Sequence, residues 1–324
     1  MSVATLVGVV LLGAWGVLAL AYQVPGGQLA RRLTATLWGL FCLVLIGVIA
    51  YGALVLGVTI FALAFAVLLL WWRRIPPSND RDWADDVARM TTGVVTGSQV
   101  ALHNVRCFDW RSTTDYDPRW ETRTYDLDRL STVDMVLSYW SMSAIAHVLV
   151  SFGFDEGDHV VFSVEIRREK TEKFSEVGGF FKEFELSVIA CDERDVIRLR
   201  TNIRGEDVYL YRVNMAPAHR RALFLAYVAE ANELSRKPRF YNTLSVNCTT
   251  LVYQMMRRIV GRLPLDFRLL LSGYLPGYVY RVGALDLRYP LEELKAFGRI
   301  SARARRSDRS PGFSADIRAG IPPL

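Results

Sequence analysis

Charged side chains are nearly absent from the first 72 residues of this 324-residue chain, which contain only Arg31 and Arg32. The rest of the chain carries 37 basic and 33 acidic residues, a balance typical of an ordinary globular domain. This division excludes a wholly soluble enzyme, a polytopic transporter and a disordered tail. We therefore expect a membrane anchor joined to one domain of roughly 230 residues, which is long enough to bury a hydrophobic core.

Motifs for metals and cofactors are lacking as well. The chain has four cysteines without a CxxC spacing, and four histidines without an HExxH motif. It has neither a glycine-rich phosphate loop nor a GxSxG elbow. The sequence thus predicts no metal and no cofactor. The net charge of +6 is weak evidence for nucleic acid, because the surplus of arginine lies after residue 298, and we expect no nucleic-acid partner.

Two apolar stretches fill the uncharged part. Residues 5–22 are close to the ~20 residues that cross a bilayer, and residues 33–72 would form a helix of roughly 60 Å, twice the hydrocarbon thickness. The longer stretch must turn back, and Tyr51-Gly52 is the predicted hairpin. We therefore predict three transmembrane helices within residues 1–74, followed by a proline-containing linker.

Residue periodicity predicts an α+β domain over residues 75–298. Strand-like runs come first and include a hairpin around the turn at 155–158, and helical spacing follows. The predicted strands are 98–108, 133–138, 146–154, 159–167, 184–190, 196–201 and 207–213. The predicted helices are 84–90, 217–236 and 248–258. Residues 115–123 are predicted as an ordered loop, and the basic residues 299–324 as a flexible tail.

Cys248 is the candidate nucleophile because of its position. Asn247 is a good N-cap residue, which would place Cys248 at the first helical position. The free N–H groups and the dipole of a helix start favour a thiolate and lower the pKa of the thiol. The alternative is that Cys248 is a small buried hydrophobic residue beside a reinforced cap.

His147, at the start of an apolar strand, is the candidate base, although a lone histidine there can also be a core residue. A three-residue loop at 155–157 would place Glu165 opposite His147, where a carboxylate can orient the imidazole. A slipped register would favour Ile166 or Arg167 instead. The polar candidates with weaker support are His103, His159, His219, Asn202 and Tyr241.

Several segments together resemble a known family, the Lnb-type N-terminal periplasmic domain. They are IPPSNDRDW at 75–83, WETRTY at 120–125, SYW at 138–140, AH at 146–147, SFGF at 151–154, SVEIR at 163–167, LRTN at 199–202, YNT at 241–243 and NCTT at 247–250. The family is similar in turn to permuted papain-like thiol enzymes such as lecithin–retinol acyltransferase. In those enzymes the histidine strand precedes an Asn-Cys helix start, which is the order of His147 and Cys248.

The resemblance implies a permuted papain-like domain and a membrane-anchored thiol acyltransferase that makes N-acylated lipoproteins. The implied partners are a membrane phospholipid or a lipoprotein, and the implied location is the bacterial inner membrane with the domain in the periplasm. A positive-inside count of Arg31 and Arg32 would place the domain in the cytoplasm, but two charges are a small bias and the resemblance takes precedence. The alternatives are a thiol hydrolase (amidase, peptidase or phospholipase) and a non-catalytic envelope module.

Overall fold

The computed structural model, which describes residues 3–324, divides the chain into two units. One unit contains the N-terminal helices α1 (Val3–Gln23), α2 (Gly27–Ala50) and α3 (Leu54–Arg74). All three helices are long and apolar enough to cross a membrane, as the three predicted spans require. The chain turns between α2 and α3 at Gly52, whose φ of +99° favours glycine.

The helices of the membrane unit pack closely through small residues. A Cβ atom added at Gly16 would lie 2.4 Å from Trp38 Nε1, so only glycine fits there. The indole N–H of Trp38 donates to the Gly13 carbonyl at 3.1 Å, which joins α1 to α2. Between helices in lipid, close packing and hydrogen bonds replace the hydrophobic effect as the source of stability.

A distant segment, Lys173–Glu185, belongs to the same unit as the three helices. The Phe181 ring stacks on Tyr22 at a centroid distance of 5.6 Å, and the Gln23 amide donates to the carbonyls of Phe181 and Lys182. The Lys182 ammonium donates to the Trp72 carbonyl at 2.7 Å and lies over its ring. The segment is therefore attached to the C-terminal ends of α1 and α3.

The other unit is built on one large mixed sheet of eight strands, in the order β1-β2-β9-β8-β7-β6-β10, with β5 also paired to β2. Its strands are β1 (Thr92–Thr96), β2 (Gln99–Arg106), β5 (Trp120–Asp126), β6 (Leu130–Tyr139), β7 (His147–Phe154), β8 (His159–Arg167), β9 (Glu185–Cys191) and β10 (Asp207–Arg212); β3 (Asp109–Trp110) and β4 (Tyr116–Asp117) form a separate pair. The β2–β9 pair is parallel, whereas β6, β7, β8 and β10 follow antiparallel registers.

Helices cover both faces of this sheet. They are α4 (Glu193–Arg198), α5 (Pro217–Arg236), α6 (Thr250–Val260), α7 (Leu275–Arg281), α8 (Leu291–Gly298), α9 (Ser301–Arg306) and α10 (Phe313–Asp316). On one face Phe152 of β7 and Phe162 of β8 pack against Phe224 and Tyr227 of α5. Residues of α4, α9 and α10 pack on the other face. Because alternate strand residues point to opposite faces and helices cover both, the central strands bury apolar side chains on each face.

These observations confirm an α+β fold with N-terminal membrane helices, but three local predictions are wrong. Residues 196–201 are helical rather than extended, since the Asp192 side chain caps α4. The predicted loop at 115–123 contains β4 and the start of β5. The predicted helix at 84–90 is reduced to a single 3₁₀ turn, Asp85–Val87.

The expectation of a flexible tail after residue 298 is also wrong. Ile300, Phe313 and Ile317 are fully buried in the core beneath the sheet. The guanidinium of Arg318 bridges Glu193 at 2.6 Å and Asp134 at 2.9 Å, and both carboxylates are fully buried. The arginines that suggest a solvated tail thus include one that neutralises two buried acids.

We predict that Arg318→Ala destabilises the protein by about 3–5 kcal/mol, because buried Glu193 loses its cation and buried Asp134 keeps only Arg212, and lowers Tm by roughly 10 °C. Thermal unfolding of the purified full chain measures this, with exposed Arg306→Ala as the matched control. Burial raises the pKa of Glu193, but Arg318 overcomes this and lowers it to about 2. The stabilisation is therefore complete above about pH 4.5 and is lost as the pH falls towards 2. Equal Tm values for the two variants would contradict the ion-pair role.

Candidate active site

Cys248 lies in a capped turn immediately before α6. The helix begins at Thr250, two residues later than predicted, but Asn247 still caps it. The Asn247 Oδ1 atom accepts hydrogen bonds from the N–H groups of Thr249 and Thr250, each at 2.9 Å, and its carbonyl accepts from Leu251 at 3.1 Å. The first-turn environment that the sequence predicts for Cys248 is therefore present.

The Cys248 sulfur is surrounded by donors. Interactions with the His147 imidazole and the Val148 backbone N–H both lower the pKa of its thiol, and the sulfur lies 3.9 Å from the Thr249 hydroxyl. Burial opposes ionisation of the thiol, but the hydrogen bond and the charge of His147 outweigh it and lower the pKa of Cys248. The residue remains partly exposed, whereas Cys42, Cys107 and Cys191 are buried.

The other side of the His147 ring faces acidic and hydroxyl oxygens. Its Nε2 atom lies 3.1 Å from Glu165 Oε1 and 2.8 Å from Ser163 Oγ, and the Ser163 hydroxyl donates to the same carboxylate at 2.6 Å. Because Nε2 is engaged there, Nδ1 is the ring nitrogen available to the sulfur of Cys248.

The hairpin register is the predicted one. Leu149 pairs with Ser163, the alignment that would place Glu165 opposite His147. The slipped alternative fails, since the Arg167 guanidinium donates to the carbonyls of Val87 and Ala88.

A buried arginine completes the charge pattern. Arg200 lies 3.7 Å from Glu165 and 3.1 Å from Glu206. Burial raises the pKa of Glu165, but His147 and then Arg200 outweigh it and hold the pKa well below its usual range. Burial lowers the pKa of His147, and the charge of Glu165 raises it to about 9. A raised imidazole pKa beside a lowered thiol pKa favours an imidazolium–thiolate pair.

Two residues of this cluster were missed from the sequence. Ser163 shares a strand face with Glu165, and the period of two along β8 was the available signal. Arg200 gave no usable signal, because its segment was predicted as a strand although it forms the helical turn Leu199–Ile203.

The weaker candidates separate into one neighbour of the site and four residues elsewhere. Burial and the negative charge of Cys248 raise the pKa of Tyr241, whose phenol therefore belongs to the surroundings of the sulfur. Asn202 instead binds Asp308 and the Ala304 carbonyl. The three remaining histidines lie in other contacts or elements: His103 at Thr122, His159 at the Gly157 carbonyl, and His219 in the first turn of α5. Within residues 3–324, no group of three or more His, Cys, Asp or Glu side chains is arranged to hold a metal.

The fold and this cluster define a membrane-anchored α+β protein in which a helix-start cysteine meets a histidine–glutamate pair from the sheet. Residues 116–273, which include Cys248, His147 and Glu165, match the family described as the Lnb N-terminal periplasmic domain. This part of the chain is therefore similar to the Lnb N-terminal periplasmic domain, as the resemblance indicated, and together with the three apolar helices the match supports a membrane protein with a periplasmic domain. No curated protein and no solved structure matches it.

We predict that Cys248 is the cysteine that iodoacetamide alkylates fastest at pH 7, with a rate that falls as the pH drops through the lowered thiol pKa. In Glu165→Gln the His147 pKa falls and the Cys248 pKa rises, since the anion that favours imidazolium is lost. Alkylation at pH 7 then slows several-fold and its pH profile moves upward.

Mass spectrometry of the full chain measures these rates residue by residue. The matched control is Glu156→Gln, a carboxylate in the turn of the same hairpin that pairs with Arg129 at the surface. Identical pH profiles for Glu165→Gln and the unmodified protein would contradict the electrostatic coupling.

Proposed function

We propose that the protein is an envelope acyltransferase that carries the acyl group as a thioester on Cys248. The arrangement that supports this most directly is a partly exposed Cys248 at a capped helix start, whose thiol pKa is lowered by His147, while His147 Nε2 lies 3.1 Å from Glu165. Nucleophile, base and orienting group thus form one connected chain, as covalent catalysis requires.

In the first half-reaction the Cys248 thiolate attacks the ester carbonyl of a membrane lipid, and a carbon–sulfur bond forms. The carbon–oxygen bond of the ester then breaks, and the His147 imidazolium protonates the departing alkoxide. The products are an acyl-thioester and a lipid alcohol. Glu165 keeps its charge throughout and stabilises the imidazolium.

In the second half-reaction an amine attacks the thioester, and His147 accepts the proton that the amine loses. The amide product leaves, and the Cys248 thiolate is regenerated. We infer that the acceptor is the N-terminal cysteine of a lipoprotein, because donor and acceptor are then held at the same bilayer as the enzyme. The three membrane helices support this arrangement in the inner membrane.

The helix start also supplies a donor for the oxyanion. Asn247 Oδ1 accepts the N–H groups of Thr249 and Thr250. Within residues 3–324, the Cys248 N–H has no hydrogen-bond acceptor. That N–H is therefore free to donate to the negative oxygen of a tetrahedral intermediate, an interaction that typically contributes 10²–10³ in rate.

We predict that Cys248→Ala and Cys248→Ser abolish formation of the acyl-enzyme, while Cys42→Ala in the membrane unit leaves it intact. The assay incubates the reconstituted full chain with a phospholipid and detects the acyl mass increment on the intact protein. His147→Gln should slow this step by about 10²–10⁴-fold, the usual contribution of a general acid–base group. Acylation that persists in Cys248→Ala would refute the proposal.

A second measurement separates acyl transfer from hydrolysis. The pre-formed thioester is mixed with a peptide that carries an N-terminal S-diacylglyceryl-cysteine. We expect the acyl chain to appear as an amide on that amine. Release of free fatty acid alone would assign the site to a hydrolase.

A further inference from the structure

An open groove of about 690 Å³ runs along α6, the helix that starts just after Cys248. Thr250, Tyr253 and Arg257 line it from the helix, and Leu265 and Phe267 line it from the segment that follows. Neither Cys248 nor His147 lines the groove. Its near end at Thr250 nevertheless lies only two residues from the sulfur along the chain.

The walls of this groove are unusually apolar for a surface exposed to water. Leu265 is 79% exposed and Phe267 is 60% exposed, and Leu244 and Leu270 beside them are also exposed. Adjacent exposed apolar side chains around a concave site mark a ligand or membrane contact. At roughly 30 Å³ per water-sized group, the volume suits on the order of twenty heavy atoms, about one acyl chain with its ester.

The groove is also positively charged. Arg257 and Arg258 line it and are exposed, and neither forms an ion pair with any residue in the described part of the chain. The acidic residue of the lining, Asp266, is already paired with Arg281 and contacts Arg268. An anionic group on the ligand would therefore meet two available guanidinium groups and no uncompensated carboxylate.

Helix geometry makes these charges compatible with chemistry at Cys248. Arg257 lies about 10 Å along α6 from Thr250 at 1.5 Å per residue, and side chains on a helix lean towards its N-terminus. The guanidinium group can thus extend back towards the end of the groove where the sulfur lies.

The apolar surface continues on the histidine side of the site. Trp140 and Met142 are exposed in the loop that leads to His147. The Gly273 N–H donates to the Ala144 carbonyl in that loop at 2.9 Å, which joins it to the segment after the groove. Apolar side chains therefore flank the approaches to both candidate catalytic residues.

We propose that this groove binds one glycerophospholipid, with an acyl chain along Leu265 and Phe267 and the phosphate at Arg257 and Arg258. The inference rests on the proposed function in that it identifies the acyl donor. Binding itself does not require the thiol.

The test uses the full chain as Cys248→Ala in lipid nanodiscs, so that turnover cannot affect the result. A phosphatidylcholine with a diazirine on its acyl chain is photolysed, and the labelled peptides are mapped by mass spectrometry. We expect labels on residues 263–271, and labelling at least five-fold weaker in Phe267→Asp, with Phe267→Leu retaining most of it. Labels confined to other segments would overturn the assignment of the groove.

A second arm tests the phosphate. A diacylglycerol with the same diazirine chain lacks the phosphate, so Arg257→Gln/Arg258→Gln should weaken phosphatidylcholine labelling several-fold and leave diacylglycerol labelling unchanged. The matched control is Arg305→Gln/Arg306→Gln, a pair of arginines on α9. Equal loss of labelling for both lipids, or no loss for either, would overturn the assigned role of the arginines. Displacement of the phosphatidylcholine probe by millimolar inorganic phosphate would show a free-phosphate site instead of a lipid site.

These experiments test the lipid site in the groove and the acyltransferase activity independently of each other. Labels in the groove without any acyl-enzyme in the unmodified protein would retain the lipid site and refute the acyltransferase. An acyl-enzyme that forms at the normal rate in Arg257→Gln/Arg258→Gln and in Phe267→Asp would retain the acyltransferase and refute the lipid site in the groove.

Discussion

The imidazole of His147 joins two groups that would otherwise ionise very differently. On one side a half-buried carboxylate, Glu165, raises the affinity of the ring for a proton, and on the other the ring stabilises a sulfur anion. Removing the Glu165 carboxylate or the Cys248 thiolate from water would cost free energy if either were alone, and the His147 imidazolium compensates both charges. Arg200, 3.7 Å from the carboxylate, keeps Glu165 ionised and limits how far the histidine pKa rises. The reactivity of Cys248 thus depends on a balance among four side chains.

This balance depends in turn on the register of one hairpin. β7 and β8 are buried on both faces, with Leu149 and Val161 on one side and Phe152 and Phe162 on the other. A slip of one residue would exchange the two sets and mismatch both cores, so the packing of the sheet fixes which β8 side chain meets His147. The core thereby specifies the position of the carboxylate.

Local signals in the sequence were sufficient for part of this architecture. The 3.6-residue period after Pro217 predicted α5, and the turn at 155–158 predicted the hairpin and its register. The Asn-Cys pair predicted a capped turn, with an error of two residues in the helix start. Cys248, His147 and Glu165 could be proposed together because each depends on a short-range feature.

Residues whose placement depends on distant contacts could not be predicted. Val196, Ile197 and Leu199 have the composition of a strand, but the capping carboxylate of Asp192 and packing against the last helices make them helical. That error concealed Arg200. Nothing within residues 173–185 indicates their attachment to α1 and α3, since their partners lie more than 100 residues away.

The burial of Arg318 has a consequence for biogenesis. Glu193 is synthesised long before residue 318, and until that guanidinium arrives its carboxylate cannot be desolvated at low cost, whereas Asp134 already has Arg212 as a partner. The core around Glu193 therefore reaches its final packing only after nearly the whole domain has been synthesised. Until then the unfinished core around Glu193 stays hydrated, which delays its compaction to the last stage of synthesis.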